Sequence, residues 1–273
     1  MGMGRVVFIG AGPGAADLIT VRGAARLAAA DVVLFDALTD PALRALAPHA
    51  KWIDVGKRGY TDSTAQSAID ALLVRHARES GVVVRLKGGD PSVFGRLEEE
   101  LEVLARAGIA CEVVPGVTAA LAAAAATQRP LTRRGHGRSV SLATAMTRAG
   151  PAHTERSADT EVFYMAGKQL AALSRRLRSA GWPDDTAVSV VSGAGWPDPI
   201  HSDHTVLNLA RAAMVHAGRP TVVTVGAGAA AIAADAAPPA ASLAARSAGP
   251  AAPRAAAPPV RATPPPVAFD PKP

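Results

Sequence analysis

Short β-branched runs alternate with helical patterns along the first half of the chain. Alternation of this kind favours a parallel sheet that is covered by helices. One helical pattern after residue 66 places Ile69, Leu73 and His76 on a single face. The predicted strands of this half are Val6–Ile9, Val32–Phe35, Ile53–Val55, Val82–Leu86 and Glu112–Val114.

A second set of alternating runs begins near residue 139. An alanine-rich stretch, 118–127, followed by Pro130, separates the two sets and marks a boundary between halves. We therefore predict the α/β fold class with two α/β domains, 1–118 and 119–228. This half is predicted to contain strands Ser139–Ala143, Glu161–Met165, Ala187–Val191 and Thr221–Val225, and a helix Gln169–Ser179 that is closed by Gly181.

The C-terminal segment differs in composition from the rest of the chain. From residue 229 onward it consists largely of Ala and Pro. Such a segment buries too little apolar surface to offset the entropy lost on ordering it. We predict that 229–273 is a disordered tail, and we expect deletion after Gly228 to leave activity intact.

Composition narrows the partners that the protein can have. The 273-residue chain carries a net charge of +6, which attracts nucleic acid, anionic lipid or a polycarboxylate. Its aromatic content of 4% is low for stacking bases, so we expect no nucleic-acid partner. The start lacks a secretory signal, and no run approaches about 18 strongly apolar residues, so we expect no membrane span and a cytoplasmic protein. Cys111 is the single cysteine, which excludes an internal disulfide.

The first glycine motif, GAGPG, follows the first predicted strand, where glycines let a ligand approach the backbone. With Ala15 it satisfies a loose dinucleotide-binding fingerprint, in which Asp36 would bind a ribose hydroxyl. Two features weigh against that interpretation. Pro13 removes a backbone donor, and the next helix begins only near Thr20, too late to receive phosphates at its N-terminus. A nicotinamide or flavin site stays an alternative.

Two further glycine motifs also follow predicted strands. RLKGGDP begins at Arg85, and VVPGVTA begins at Val113. Each motif alone is compatible with an ordinary strand-to-helix connection, in which Asp90 would cap the next helix. Ligands of open parallel sheets bind at the carboxyl ends of the strands. Three glycine loops on one edge therefore predict one shared crevice.

Taken together, GAGPG, VVLFD, VGKR, RLKGGDP, VVPGVTA and PLTRR resemble the tetrapyrrole methylase family from about Val6 to Val225. RLKGGDP followed by VFGR, together with VGKR, is most similar to members that act on uroporphyrinogen III. The resemblance implies two α/β domains with the ligand cleft between them, S-adenosylmethionine as methyl donor, and a homodimer. It also implies methylation of uroporphyrinogen III at carbons 2 and 7, through precorrin-1, to precorrin-2. That product is common to sirohaem, cobalamin and haem d1 synthesis.

The resemblance also carries functional positions over to this chain. The family's proton acceptor falls on Asp36 and its proton donor on Lys57. Methylation leaves positive charge on the ring, and a carboxylate can take the proton whose loss relieves it. The implied donor-binding residues are Pro13, Gly88, Gly89, Asp90, Val93, Thr118, Ala119, Met165 and Gly193.

Basic side chains are candidate ligands for the carboxylates of such a substrate, because guanidinium groups pair with carboxylates in bidentate fashion. His201 and His204, spaced HSDH, lack the further ligands that a metal site needs. We therefore predict no metal and a surface loop at that place. The candidate cations are Arg58, Arg85, Lys87, Arg96, Arg129, Arg133, Arg134 and Arg138.

The chain departs from the family pattern near the supposed cleft, at Ala37, Leu97, Arg133 and Met146. We expect these departures to change the affinity for the substrate or the rate of the reaction. Three hypotheses follow for the function. The first is a methylase that makes precorrin-2, the second is a sister methylase acting on a later precorrin, and the third is a non-catalytic tetrapyrrole or nucleotide binder.

Overall fold

Ten strands form two five-stranded sheets within residues 4–56, 66–146 and 155–232, which the computed structural model describes. The first sheet has the strand order β3-β2-β4-β1-β5, and every neighbouring pair is parallel. All five strands predicted for this half are present, with ends moved by one or two residues. They are β1 (Arg5–Gly10), β2 (Val32–Phe35), β3 (Lys51–Asp54), β4 (Val82–Lys87) and β5 (Ala110–Val114).

Helices cover both faces of the first sheet because successive strand residues point to opposite sides. Val7 and Ile9 pack toward Leu27 of helix α1 (Val21–Ala28). Val6 and Phe8 pack toward α2 (Gln66–Glu79) and α3 (Leu97–Arg106) on the other face. Burial on both sides explains why the central strands β1, β2 and β4 are largely apolar runs.

The second sheet has the order β6-β7-β10-β8-β9 and is mixed rather than parallel. Only β6 and β7 are parallel, whereas the other neighbouring pairs are antiparallel. Of the antiparallel neighbours, β8 and β9 are joined directly by the short loop 193–199, which needs no helical crossover. The strands are β6 (Val140–Thr144), β7 (Thr160–Tyr164), β8 (Ala187–Ser192), β9 (Ile200–Thr205) and β10 (Thr221–Gly226).

Strand β9 corrects the prediction of a surface loop at HSDH. His201 and His204 lie on this edge strand. The Ser202 hydroxyl lies 2.8 Å from Nε2 of His204 and 2.8 Å from Nε2 of the buried His216. Burial lowers the pKa of both of these imidazoles. An edge strand that pairs polar side chains in this way shows no apolar alternation that sequence analysis can detect.

Helix α4 (Ala119–Thr127) is the predicted alanine-rich bridge, and it packs small side chains against the second sheet. Helix α5 (Leu170–Ser179) also matches its prediction, and Gly181 follows it with a φ of 86°, as expected of a C-terminal cap. A one-turn helix, α6 (Ala213–His216), precedes β10. No helix among the described residues is long and apolar enough to span a membrane.

Four residues of the predicted tail, 229–232, belong to the described structure, whereas 233–273 lie outside it. Ala229 is buried, and its carbonyl accepts a hydrogen bond of 3.0 Å from Arg129. Arg129 also pairs with Asp203 through both terminal nitrogens. Arg133 donates to the carbonyls of Ala230 and Ala231. These contacts tie residues 229–231 to the second half of the chain.

Two truncations test this attachment. Deletion after Ile232 keeps the acceptors of Arg129 and Arg133, so the melting temperature should match that of the full chain. Deletion after Gly228 removes them and should cost about 1–3 kcal/mol, because hydrogen bonds to charged groups are lost. Circular dichroism should record this loss as a melting temperature lower by a few degrees. Equal melting temperatures for the two truncations would contradict a role for residues 229–232.

Candidate active site

The three glycine loops meet at the carboxyl ends of β1, β4 and β5. Gly12 and Gly89 exchange two backbone hydrogen bonds, with N···O distances of 3.3 and 2.7 Å. The Asp90 carboxylate joins the second loop to the third by accepting from the Gly116 N–H at 2.9 Å and from the Ser92 N–H at 2.8 Å. The predicted shared crevice is therefore present.

Backbone contact between the loops requires glycine at their centres. A Cβ on Gly10 would lie 2.5 Å from the Cα of Gly116, and a Cβ on Gly116 would lie 2.3 Å from the Gly89 carbonyl oxygen. Both distances are far below van der Waals contact, so only hydrogen side chains fit. The floor of the crevice is therefore made of main chain, which a ligand can approach closely.

A cavity of about 290 Å³ lies above this floor, between the two halves of the chain. It is lined by every residue to which the resemblance assigns donor binding, and by the predicted proton acceptor as well. Their roles stay predictions, but their shared location is a property of the structure. These residues are Pro13, Asp36, Gly88, Gly89, Asp90, Val93, Thr118, Ala119, Met165 and Gly193.

Two residues at the ends of β7 and β8 bring the second half into the cavity wall. Met165 has a φ of 55° and Gly193 a φ of 64°, both in the left-handed region. This conformation is costly for a residue with a Cβ, and such residues are frequent at binding sites. Both follow directly on strands of the second sheet, which shows that its strand ends face the glycine loops.

Three aromatic residues line the cavity that the motifs did not reveal: Phe94, Tyr164 and Trp196. The Tyr164 hydroxyl lies 2.8 Å from that of Thr118 and so joins the two halves. Burial raises the pKa of Tyr164, which keeps this hydroxyl protonated. Trp196 packs so closely on Gly14 that a Cβ there would lie 2.3 Å from its ring. Phe94 belongs to the VFGR motif, and this motif was the one sequence signal for any of the three aromatic residues.

Three of the candidate substrate ligands, Arg85, Lys87 and Arg129, form ion pairs within the fold. Arg85 and Lys87 are almost fully buried, and both pair with Glu100 of α3. Arg85 also donates to the Asp36 carboxylate at 2.6 Å. Arg129 is likewise buried and committed to Asp203. The sequence shows the charge of these three cations, but not the carboxylates that neutralise it in the folded protein.

The other predicted cations are differently placed. Arg134 and Arg138 are exposed. Arg96 donates to Glu99 at 2.7 Å across one turn of helix, and half of its side chain is exposed. Lys57, the predicted proton donor, and its neighbour Arg58 lie outside the described residues.

The start of α1 bears on the alternative of a dinucleotide site. The helix begins at Val21, and the Thr20 hydroxyl caps it by accepting from the Gly23 N–H at 3.0 Å. The helix N-terminus is thus well separated from the glycine turn, as predicted. In addition, the Gly12 N–H is occupied by the Gly89 carbonyl. These observations disfavour a phosphate-binding turn of the dinucleotide type.

A metal site has no support in the described part of the chain, where no group of three or more potential ligand side chains is found. His201 instead lies near the Ser189 hydroxyl, at 3.1 Å, and near Asp203. The polar residues of β9 therefore satisfy one another.

Two α/β halves that enclose a cavity at their strand ends form a small-molecule site of the kind found in α/β enzymes. The family model described as Tetrapyrrole (Corrin/Porphyrin) Methylases matches residues 5–210. The chain belongs to this family.

Similar proteins agree with this membership. A relative from Pseudomonas aeruginosa, named uroporphyrinogen-III C-methyltransferase, is 45% identical over 195 residues, which are 70% of this chain and 80% of that protein. A Thermus thermophilus uroporphyrin-III C-methyl transferase complexed with S-adenyl homocysteine has a TM-score of 0.71 at 34% identity, covering 82% of this chain and 97% of that one. A cobalt precorrin-4 methyltransferase has a TM-score of 0.72 at 32% identity, covering 81% and 94%.

The contact between the glycine loops is tested by Gly10→Ala. The new methyl group must displace the backbone of Gly116, so we expect a loss of about 1–3 kcal/mol in the free energy of unfolding, measured with urea. Gly81→Ala is the control, because its Cβ would meet only the tip of the Asp31 side chain, at 3.1 Å. A surface change of that kind should cost no more than about 0.5 kcal/mol. Equal losses for the two variants would show that the close approach has no energetic importance.

Proposed function

We propose that this protein methylates uroporphyrinogen III at carbons 2 and 7, through precorrin-1, to give precorrin-2, with S-adenosylmethionine as donor. The observation that carries the proposal is the single cavity that contains every described residue to which the resemblance assigns a role. The relative from Pseudomonas aeruginosa supports the substrate by its name, and the complex from Thermus thermophilus supports the donor. Both match most of the chain.

The residues around the cavity suit a donor of this kind. Gly89 has a φ of 71°, and a Cβ there would find only the Cα of Thr118, at 4.0 Å, so the cradle has room for a ligand. The 290 Å³ cavity is at the small end of ligand pockets, which measure roughly 300–1,000 Å³. When bound, the donor supplies a methyl group that its sulfonium charge already activates. The protein then has mainly to hold a ring carbon in line with that methyl group.

Asp36 is the proposed proton acceptor. It lies at the end of β2, lines the cavity, and keeps 31% of its side chain exposed. A ring that has gained a methyl group carries positive charge, and loss of a proton to a positioned carboxylate restores neutrality. Lys57, the proposed proton donor, belongs to the VGKR motif that the resemblance marks. Exposed cations such as Arg134 and Arg138 are the proposed partners of the substrate carboxylates.

We also propose that the protein works in the cytoplasm as a homodimer, without a nucleic-acid partner, and that its product supplies sirohaem, cobalamin or haem d1 synthesis. A specific observation favours one alternative substrate. The similarity to a cobalt precorrin-4 methyltransferase supports a sister methylase that acts on a later corrinoid intermediate. A dinucleotide or non-catalytic binder is less well supported, because the glycine turn is remote from the helix N-terminus.

Donor binding is tested by filling the cavity. Ala119→Leu places a larger side chain among the cavity-lining residues and should weaken S-adenosylhomocysteine binding about tenfold or more, since overpacking costs at least about 1.4 kcal/mol. Ala125→Leu makes the same change on an exposed position of the same helix and should leave the dissociation constant unchanged. Calorimetric titration measures both. Unaltered binding by Ala119→Leu would place the donor elsewhere.

The reaction is tested by anaerobic incubation with uroporphyrinogen III and labelled S-adenosylmethionine. We expect two methyl groups per tetrapyrrole and the spectrum of precorrin-2. Asp36→Asn should bind the donor normally but turn over about 10²–10⁴-fold more slowly, the usual contribution of a general base. Asp17→Asn makes the same charge change at an exposed position and should retain full activity.

Other outcomes point to the other hypotheses. Donor binding without label transfer would overturn the proposed substrate, and later precorrins would then be the substrates to test. Tighter binding of a nicotinamide dinucleotide than of S-adenosylmethionine would overturn the proposed donor. Full activity of Asp36→Asn would remove Asp36 from the mechanism.

A further inference from the structure

A chain of four charged side chains runs from the cavity wall into the protein interior. Asp36 accepts from the terminal nitrogen Nη2 of Arg85 at 2.6 Å. Arg85 Nε donates to one carboxylate oxygen of Glu100 at 3.1 Å, and Lys87 Nζ donates to the other at 2.6 Å. Arg85 and Lys87 can share Glu100 because residues two apart on β4 point to the same face of the sheet.

Asp36 is the one member of this network of four side chains whose charged group a ligand can reach. The side chains of Arg85, Lys87 and Glu100 are no more than 3% exposed, whereas Asp36 is 31% exposed. Lys87 also borders the cavity, but its amine is committed to Glu100. The two cations and two carboxylates balance in charge, as buried ions must.

The pKa directions agree with this pairing. Burial alone would lower the pKa of Arg85, but the charges of Asp36 and Glu100 outweigh it and raise that pKa. Burial, reinforced by the neighbouring Arg85, lowers the pKa of Lys87, while Glu100 opposes that change. Arg85 is therefore the firmly charged centre of the network, and it faces both carboxylates at once.

Stability is a weak explanation for such a network, since apolar side chains of similar volume often replace buried ion pairs without loss. Its geometry suggests another role. Arg85 donates to Oδ1 of Asp36, whereas within the described part of the chain Oδ2 accepts only a long hydrogen bond of 3.4 Å, from the Gly88 N–H. Oδ2 is thus the less occupied oxygen and the one able to accept a proton from a ligand.

We propose that Arg85, held in place by Glu100, is a positioning residue that orients the Asp36 carboxylate toward the cavity. The inference rests on the proposed function, in which Asp36 takes the proton that the ring loses after the carbon–methyl bond forms and the carbon–sulfur bond breaks. A planar guanidinium can meet two carboxylates and the Leu86 carbonyl, 3.2 Å away, at the same time. A lysine amine at this position cannot reproduce that fork.

The test is a double-mutant cycle with Arg85→Lys and Asp36→Asn, measured by label transfer under saturating substrates. Arg85→Lys alone should lower kcat about 100-fold, the scale of a misplaced reacting group, while KM and S-adenosylhomocysteine binding change less than about twofold. In the Asp36→Asn background the same change should lower the residual rate no further, because Arg85 acts through Asp36. Arg26→Lys is the control for the chemical change, since Arg26 pairs with Glu112 at a partly exposed position and lies outside the cavity lining.

Two results would overturn the inference. An additive loss of rate in the double variant would show that Arg85 acts independently of Asp36, and a raised KM with normal kcat would make it a substrate ligand. Glu100→Gln provides a second route should Arg85→Lys not fold, because it keeps the side-chain shape and weakens the contacts of residue 100 with Arg85 and with Lys87, while Arg85 itself stays in place. The same non-additivity with Asp36→Asn is expected. The wild-type protein reports separately on the proposed function, which fails if the wild type itself transfers no label.

Discussion

The backbone contact among Gly10, Gly89 and Gly116 is the constraint on which the site depends. A Cβ at Gly10 or Gly116 would lie 2.3–2.5 Å from backbone atoms of a neighbouring loop. The three strand ends can therefore approach one another this closely only because these residues have no side chain. This convergence brings Asp90 within hydrogen-bonding distance of the third loop and makes the cavity floor of peptide groups. The second half then closes the cavity from above, through the hydrogen bond between Tyr164 and Thr118.

The basic side chains of this protein fall into two groups. Buried ones pair with carboxylates of the fold, whereas exposed ones can contact a ligand. Arg85 and Lys87 belong to strand β4, yet both point away toward Glu100 on the helix side. Arg129 likewise serves the fold, by linking Asp203 to the carbonyl of Ala229. Each of these buried cations is balanced by a carboxylate, so the pairs leave the net charge of +6 to other side chains, among them the exposed Arg134 and Arg138.

The two halves make different contributions to the cavity. The parallel first sheet supplies main-chain loops and the carboxylates of Asp36 and Asp90. The mixed second sheet supplies side chains, including Tyr164, Met165 and Trp196, from loops at its strand ends. A rigid peptide floor and a side-chain wall are a suitable arrangement for holding one small molecule against another, which is the main requirement of methyl transfer.

The local pattern of apolar residues and glycines determined most helices and strands of this protein. Only the tertiary structure decided which charged side chains are buried in ion pairs and which are exposed. Apolar runs predicted the central strands β1, β2 and β4 because these are buried on both faces, and glycine motifs at three strand ends predicted the meeting of the loops. Strand β9 escaped prediction because its polar side chains are satisfied by partners such as His216, distant in sequence. The pairing of Arg85 with Asp36, and the contact of Trp196 with Gly14, join residues about 50 and 180 positions apart. No periodicity records such contacts, because they form only when separate elements pack together.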